Sequence, residues 1–141
     1  AIVMARALPD DGKVVCFELQ EKYCDYIRKK AESGESFIVV GRCSENVLKD
    51  YDCLISVFVT GDKEHKIQRV MEHFDLSESE AYTKMRRHDR TRKQYHNRYS
   101  EGKWGDATYY DMCINSGPLG IEKTVNVLEN YVKERTGNQE L

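Results

Sequence analysis

The stretch from Arg86 to Asp106, "RRHDRTRKQYHNRYSEGKWGD", contains no Leu, Ile, Val, Met or Phe. Between positions 84 and 103 the chain carries Lys84, Arg86, Arg87, Arg90, Arg92, Lys93, Arg98 and Lys103 against Asp89 and Glu101, eight positive charges to two negative. Guanidinium forks match phosphate oxygens in paired hydrogen bonds, and a carboxylate among them can take a ribose hydroxyl or orient an arginine. Such a set can position phosphates and neutralise their charge, which is most of what a phosphoryl-transfer catalyst must do. Two other uses compete: a solvated charged helix face, and RNA binding through the Tyr and Trp residues interleaved with the cations. The overall balance, 22 Lys and Arg against 24 Asp and Glu for a formal charge of -2, argues against nucleic acid.

Positioning these groups requires a helix. "SESEAYTKM" opens with Ser77 and has Glu80 three residues on, a capping-box pattern in which Ser79 is a competing cap. If that helix continues to about Tyr99, then Asp89, Arg92, His96 and Tyr99 share one face, and Arg86, Arg90, Lys93 and Asn97 form a neighbouring stripe. A helix without an aliphatic stripe is not held by core burial, so it lies across a surface, a partner or a ligand. Gly102 and Gly105 then flank the only tryptophan, predicting a hinge and an exposed aromatic. Residues 77–106 thus read as a mobile, arginine-bearing lid that closes over phosphates and excludes water. Asp106 and Asp111 are expected to fix the turn after the lid and the approach to the last strand, with no metal ligand among them.

The remaining elements predict the scaffold. "SFIVVG" from Ser36, "LISVFVTG" from Leu54 and "YDMCINSG" from Tyr110 read as buried parallel strands ending at glycine. Helical spacing appears in "FELQEKYCDYIRKKAESG", with Gly34 as its stop, and in "DKEHKIQRVMEHF", with Ile67, Val70, Met71 and Phe74 on one face. The last helix, "GIEKTVNVLENYVKERTG", is expected to bury Ile121, Val125, Leu128 and Val132. Strands alternating with helices across long crossovers give an α/β fold with a parallel sheet and flanking helices, in one domain over 1–141. In such sheets ligands bind beyond the carboxyl ends of the strands, here after Val40, Val59 and Ser116.

Cys16, Cys24, Cys43, Cys53 and Cys113 are an odd number without CxxC spacing, which favours free thiols in a reducing compartment. No apolar run approaches a membrane span and no secretory signal precedes the first element, so the reading is a soluble, cytoplasmic protein without a membrane partner.

Three pieces in this order, "FIVVGRCSENVL", "DRTRKQYHNRYSEGKWGD" and "YDMCINSGPLGIEKTV", resemble the cytidylate kinase-like family of nucleoside monophosphate kinases, over about Cys16 to Tyr131. The resemblance implies a P-loop kinase-like three-layer α/β/α fold and transfer of the ATP γ-phosphate to a nucleoside monophosphate, with cytidine monophosphate as one acceptor. ATP as co-substrate and Mg2+ are implied by the reaction. Carried over by position, Arg42 after the first strand binds the acceptor monophosphate. Asp89 and Arg92 match the family's Asp-x-x-Arg lid pair, which holds acceptor and transferring phosphate. Arg69 matches an arginine that contacts ATP or the lid, and Arg86 and Arg90 are further lid cations, catalytic and substrate-binding respectively.

Two departures qualify what the resemblance carries. Authentic cytidylate kinases have an acidic residue after the strand-end arginine to read the base, whereas this chain has Cys43, read as a small packed cysteine in preference to a reactive thiol. The chain also has no G-x-x-x-x-G-K-[ST] loop. In P-loop kinases the strand before that loop lies centrally, between those matching "FIVV" and "ISVFV"; its loss would separate them by about 10 Å, twice the inter-strand spacing. The expectation is therefore a fold lacking its first strand and phosphate loop, as the carboxyl-terminal part of a longer polypeptide. Two alternatives to the enzyme are a non-catalytic nucleotide- or phosphate-binding module and, ranked below it, an RNA-binding protein.

Overall fold

A computed structural model describes residues 13–17, 21–41 and 43–137. In chain order they form β1 (Lys13–Phe17), α1 (Glu21–Glu32), β2 (Phe37–Gly41), the one-turn α2 (Ser44–Val47), β3 (Val57–Thr60), α3 (Lys63–Phe74), α4 (Glu78–Tyr99), a 3-10 turn (Ala107–Tyr109), β4 (Met112–Asn115) and α5 (Ser116–Thr136). All ladders are parallel, with helices between the strands, as an α/β chain requires. Among the described residues the ladders form two two-stranded sheets, β1 with β2 and β3 with β4. The chain divides into two compact units, residues 57–120 and the remainder.

In the unit formed by residues 1–56 and 121–141, β1 pairs with β2 in the register Lys13 to Phe37 through Phe17 to Gly41. The sequence reading has no strand at β1, because the four consecutive apolar residues after Lys13 are too short a pattern to tell strand from loop. Helix α1 stops where Gly34 takes a left-handed φ of 74°, the predicted stop. The Tyr51 hydroxyl donates to Glu32 at the end of α1 across 2.9 Å. Leu54, expected in a strand, lies in a turn instead, its amide donating to Tyr51 O at 3.0 Å, which delays β3 to Val57. Helix α5 is broken at Gly120 (φ 70°, ψ 177°). Beyond the break Val125 and Leu128 are buried as expected, but Ile121, next to the break, is 46% exposed and contributes little to the core.

Residues 57–120 contain β3, α3, α4, the 3-10 turn and β4. The register pairs Val57 with Met112 and Thr60 with Asn115, and the Ser116 hydroxyl donates back to Thr60 O at 3.0 Å, tying the carboxyl ends of the two strands. Ile67 is buried on α3 as expected, whereas Phe74 is exposed beneath the Lys84 ammonium, 3.7 Å from its ring centroid. A cation over an aromatic face replaces core burial there. Helix α4 starts where the Ser77 pattern predicts: the Ser77 amide donates to Glu80 Oε2 at 3.0 Å, so Ser77, not Ser79, is the cap.

Asp62 caps α3, accepting the His65 amide at 3.1 Å and lying 2.6 Å from His65 Nδ1. The His65 ring, and after it the His65 amide, holds the Asp62 carboxyl below its ordinary 3.8. Gly117 is packed so closely that a Cβ there would collide with this carboxylate and lie 3.0 Å from His65 Nδ1. A carboxyl with a lowered folded pKa stabilises fully above its unfolded value and loses that contribution as pH falls through the folded one. Asp62→Ala should therefore lower the melting temperature by a few degrees near neutral pH, and the difference from wild type should shrink below about pH 4. A difference that stays constant through acid pH in calorimetry would contradict this. Gly117→Ala should cost about 1–3 kcal/mol, and less when Asp62 is already Ala, as a denaturant double-mutant cycle would read.

Candidate functional site

Every residue of the basic stretch lies in the 57–120 unit. Helix α4 turns the stripe Arg86, Arg90, Lys93 and Asn97 toward an open groove of about 890 Å³ that Arg87, Arg98 and Trp104 also line. Asp89 is the single carboxylate in the lining. The groove thus concentrates five cations around one anion, an arrangement whose mutual repulsion an incoming polyanion relieves. Arg86 is placed partly by Tyr82, its guanidinium 5.6 Å from the ring centroid, while the Lys63 ammonium lies 4.9 Å from the same centroid.

The end of the groove is built by the turn after α4. The Trp104 amide donates to Asn97 Oδ1 at 2.9 Å, and the indole meets Phe58 of β3 edge-on with centroids 5.4 Å apart. Gly105 takes φ 77°, and a Cβ there would press to 3.3 Å of the Phe58 ring, so glycine is required twice over. Gly102 is buried, with Tyr109 against it. The expectation of an exposed aromatic is corrected accordingly: Trp104 is half-buried and packed, because Phe58 and Asn97 hold it. Asp106 does fix the turn, accepting the Thr108 amide at 3.1 Å and the Thr108 hydroxyl at 2.8 Å. These two donors, the amide first, hold its carboxyl below the ordinary range.

Helix α4 also has an anchor that its composition conceals. Ala81 and His96 are buried, and the Tyr110 hydroxyl lies 3.2 Å from His96 Nε2. The expectation that nothing in this helix is held by burial is corrected by these two residues. Tyr110 in turn packs on Phe58 with centroids 5.1 Å apart.

The expected lid pair is adjacent but loosely joined. Arg92 Nη1 stands 3.7 Å from Asp89 Oδ1, an ion pair without a hydrogen bond, and half of its side chain is exposed. Asp89 Oδ2 is instead taken by Lys66 of α3 at 2.9 Å. Lys66 is the residue that sequence reasoning missed: its partner lies 23 positions away, and nothing in "KEHKIQRV" singles it out. Arg86 and Arg90 line the groove; Arg92 and Arg69 do not, and Arg69 is exposed on α3. Arg42 lies outside the described residues. Cys43 is 1% exposed in a left-handed conformation (φ 61°), which suits a packed thiol and not a reactive one. Burial, with a smaller contribution from the charge of Asp106, pushes the Cys113 thiol up, away from nucleophilic use. Among the described residues no helix is long and apolar enough to cross a membrane.

Comparison with curated proteins gave no match. A solved structure, that of an uncharacterized protein from Eubacterium ventriosum ATCC 27560, is 43% identical in sequence with a TM-score of 0.75. The match covers 79% of this chain and 63% of that one, so the chain spans somewhat less than two thirds of its solved relative. Residues 13–118, which include the groove and the whole of α4, match the cytidylate kinase-like family, and the chain belongs to that family.

Proposed function

We propose that this chain forms the acceptor and lid side of a P-loop kinase-like, nucleoside monophosphate kinase-like phosphotransferase that moves the ATP γ-phosphate to a nucleoside monophosphate. The observation that carries the reading is the groove, which five cations of one helix line together with a carboxylate already tied to a lysine. In phosphoryl transfer an acceptor phosphate oxygen attacks the γ-phosphorus, the bond to the β,γ-bridging oxygen breaks, and ADP leaves; the protein aligns the groups and offsets their charge. Arg86 and Arg90 would meet phosphate oxygens in the groove, and Arg92, held only at 3.7 Å by Asp89, would turn its fork to the transferring phosphate. Asp89 would orient Arg92. Arg42 would hold the acceptor phosphate and Arg69 would assist on the ATP side, both assigned from the family pattern.

The groove itself does not fit a magnesium ion. Its carboxylate already accepts from Lys66, and a hard dication needs oxygen ligands it does not have to share with an ammonium. Mg2+ would instead arrive with the nucleotide phosphates, whose oxygens it binds. Cytidine monophosphate is the first acceptor to try, although Cys43 stands where cytidylate kinases carry an acidic base reader.

One observation favours a second reading. The chain contains no glycine-rich phosphate loop, so by itself it suits a nucleotide- or phosphate-binding module, and turnover is assigned to the polypeptide that also supplies such a loop.

The test is a panel of nucleoside monophosphates with ATP and Mg2+ and the full-length product of the natural gene, following ADP release. Turnover with at least one monophosphate is expected. Binding without turnover across the panel would move the assignment to the binding module. In the same protein Arg92→Lys should lower kcat/KM by about tenfold or more with little change in melting temperature, because lysine cannot make the forked contact. Unchanged turnover would remove Arg92 from the mechanism. On the chain described here, Arg86→Ala combined with Arg90→Ala should weaken pyrophosphate binding by about tenfold or more, read by Trp104 fluorescence and increasingly masked by salt.

A further inference from the structure

We propose that Lys66 is a positioning residue for this site: it neutralises and holds Asp89, so that the groove presents its arginines to phosphate and leaves Arg92 able to turn. The inference rests on the phosphate-binding reading of the groove.

The geometry has three parts. The Lys66 to Asp89 contact at 2.9 Å joins α3 to α4, and both side chains are about two-thirds or more covered, at 31% and 26% exposure. This differs from solvent-exposed ion pairs, which salt and side-chain entropy reduce to little. The lysine stem is itself placed. A Cβ on Gly61, the residue after β3, would lie 3.4 Å from Lys66 Cγ, and the Lys66 amide donates to Asp62 O at 3.1 Å. The ammonium is therefore indexed to the carboxyl end of β3, and through Asp89 it sets the angular position of α4.

The third part is charge. Asp89 lines the groove, and Arg86, Arg92 and Lys93 lie three or four residues away on the same helix, within reach of its carboxylate. Without Lys66, Asp89 either faces an incoming phosphate as an uncompensated anion or draws one of these cations to itself. Either outcome subtracts from phosphate binding. With Lys66 in place, one carboxylate oxygen accepts from the ammonium and the other stands 3.7 Å from Arg92, so the arginine is aligned without being hydrogen-bonded to it.

The experiment compares Lys66→Met, Lys66→Arg and the double variant Lys66→Met with Asp89→Asn, using Trp104 fluorescence titrated with pyrophosphate on this chain and steady-state kinetics on the full-length protein. Lys66→Met, which keeps the stem, should weaken pyrophosphate binding by several-fold; Lys66→Arg should restore it, and so should the double variant, which has no carboxylate left to repel. In kinetics Lys66→Met should raise KM and lower kcat, with Lys66→Arg near wild type. A Lys66→Met chain that melts earlier yet binds pyrophosphate as wild type does would overturn the proposal, since a purely structural pair moves stability alone. A double variant as weak as Lys66→Met would also overturn it. If the wild-type chain does not bind pyrophosphate, the groove reading and this proposal fall together. If it binds and Lys66→Met weakens it, but the full-length protein turns over no monophosphate, the phosphotransfer reading fails and the role of Lys66 in anion binding stands.

Discussion

Twenty-one residues without Leu, Ile, Val, Met or Phe have no aliphatic stripe to bury, so the carboxyl-terminal half of α4 must be held by other means. Three polar or aromatic attachments do this within residues 57–120. Lys66 grips Asp89 from α3, His96 is buried beside the Tyr110 hydroxyl, and Asn97 takes the Trp104 amide. The three partners come from a helix, the approach to β4 and the turn after α4. Together they fix rotation about the helix axis, and rotation decides which stripe faces the groove. A hydrophobic anchor would hold the helix more strongly, but it would occupy a face that here carries cations.

The cost of this design is electrostatic. Five cations lining one groove repel one another, and a single carboxylate already paired with a lysine does little to offset them. Local repulsion of this kind is tolerated where a ligand relieves it, which places binding free energy and folding free energy in opposition. Much of the rest of the unit is accordingly specified by short-range backbone chemistry: Asp62 caps α3, the Ser77 and Glu80 pair starts α4, and Asp106 closes the 3-10 turn. These local devices set the ends of elements without depending on a large apolar core.

How far the sequence alone reveals this structure depends on the range of the interaction. The start of α4 at Ser77 and the role of Asp106 follow from side chains bonding backbone within a few residues, and the stop of α1 from the left-handed φ that Gly34 adopts without strain; such patterns are visible in a linear string. The stripe Arg86, Arg90, Lys93 and Asn97 is legible for the same reason, being pure helical periodicity. Lys66 is not legible, because its meaning comes from a carboxylate 23 residues on. The exposure of Phe74 and Ile121 is also hidden, since periodicity assigns an apolar face without saying whether a cation will cover one ring or a kink in the helix at Gly120 will lift one residue out. Trp104 looked exposed because its neighbours in sequence are polar, but Phe58, 46 positions earlier, packs against it.

Glycine use in the turn after α4 follows from the same geometry. Trp104 can reach both Asn97 and Phe58 only if the chain reverses tightly behind it, and Gly105, at φ 77° and where a Cβ would lie 3.3 Å from the Phe58 ring, permits that reversal. Gly102, with Tyr109 against it, lets the other arm of the turn close. The aromatic end of the groove is therefore packed, with the Trp104 amide tied to Asn97 of α4 and the indole set against Phe58. The other tie of α4 differs in kind: Lys66 to Asp89 at 2.9 Å is an ion pair that salt weakens, whereas the contact between the Phe58 and Trp104 rings is apolar and is not screened.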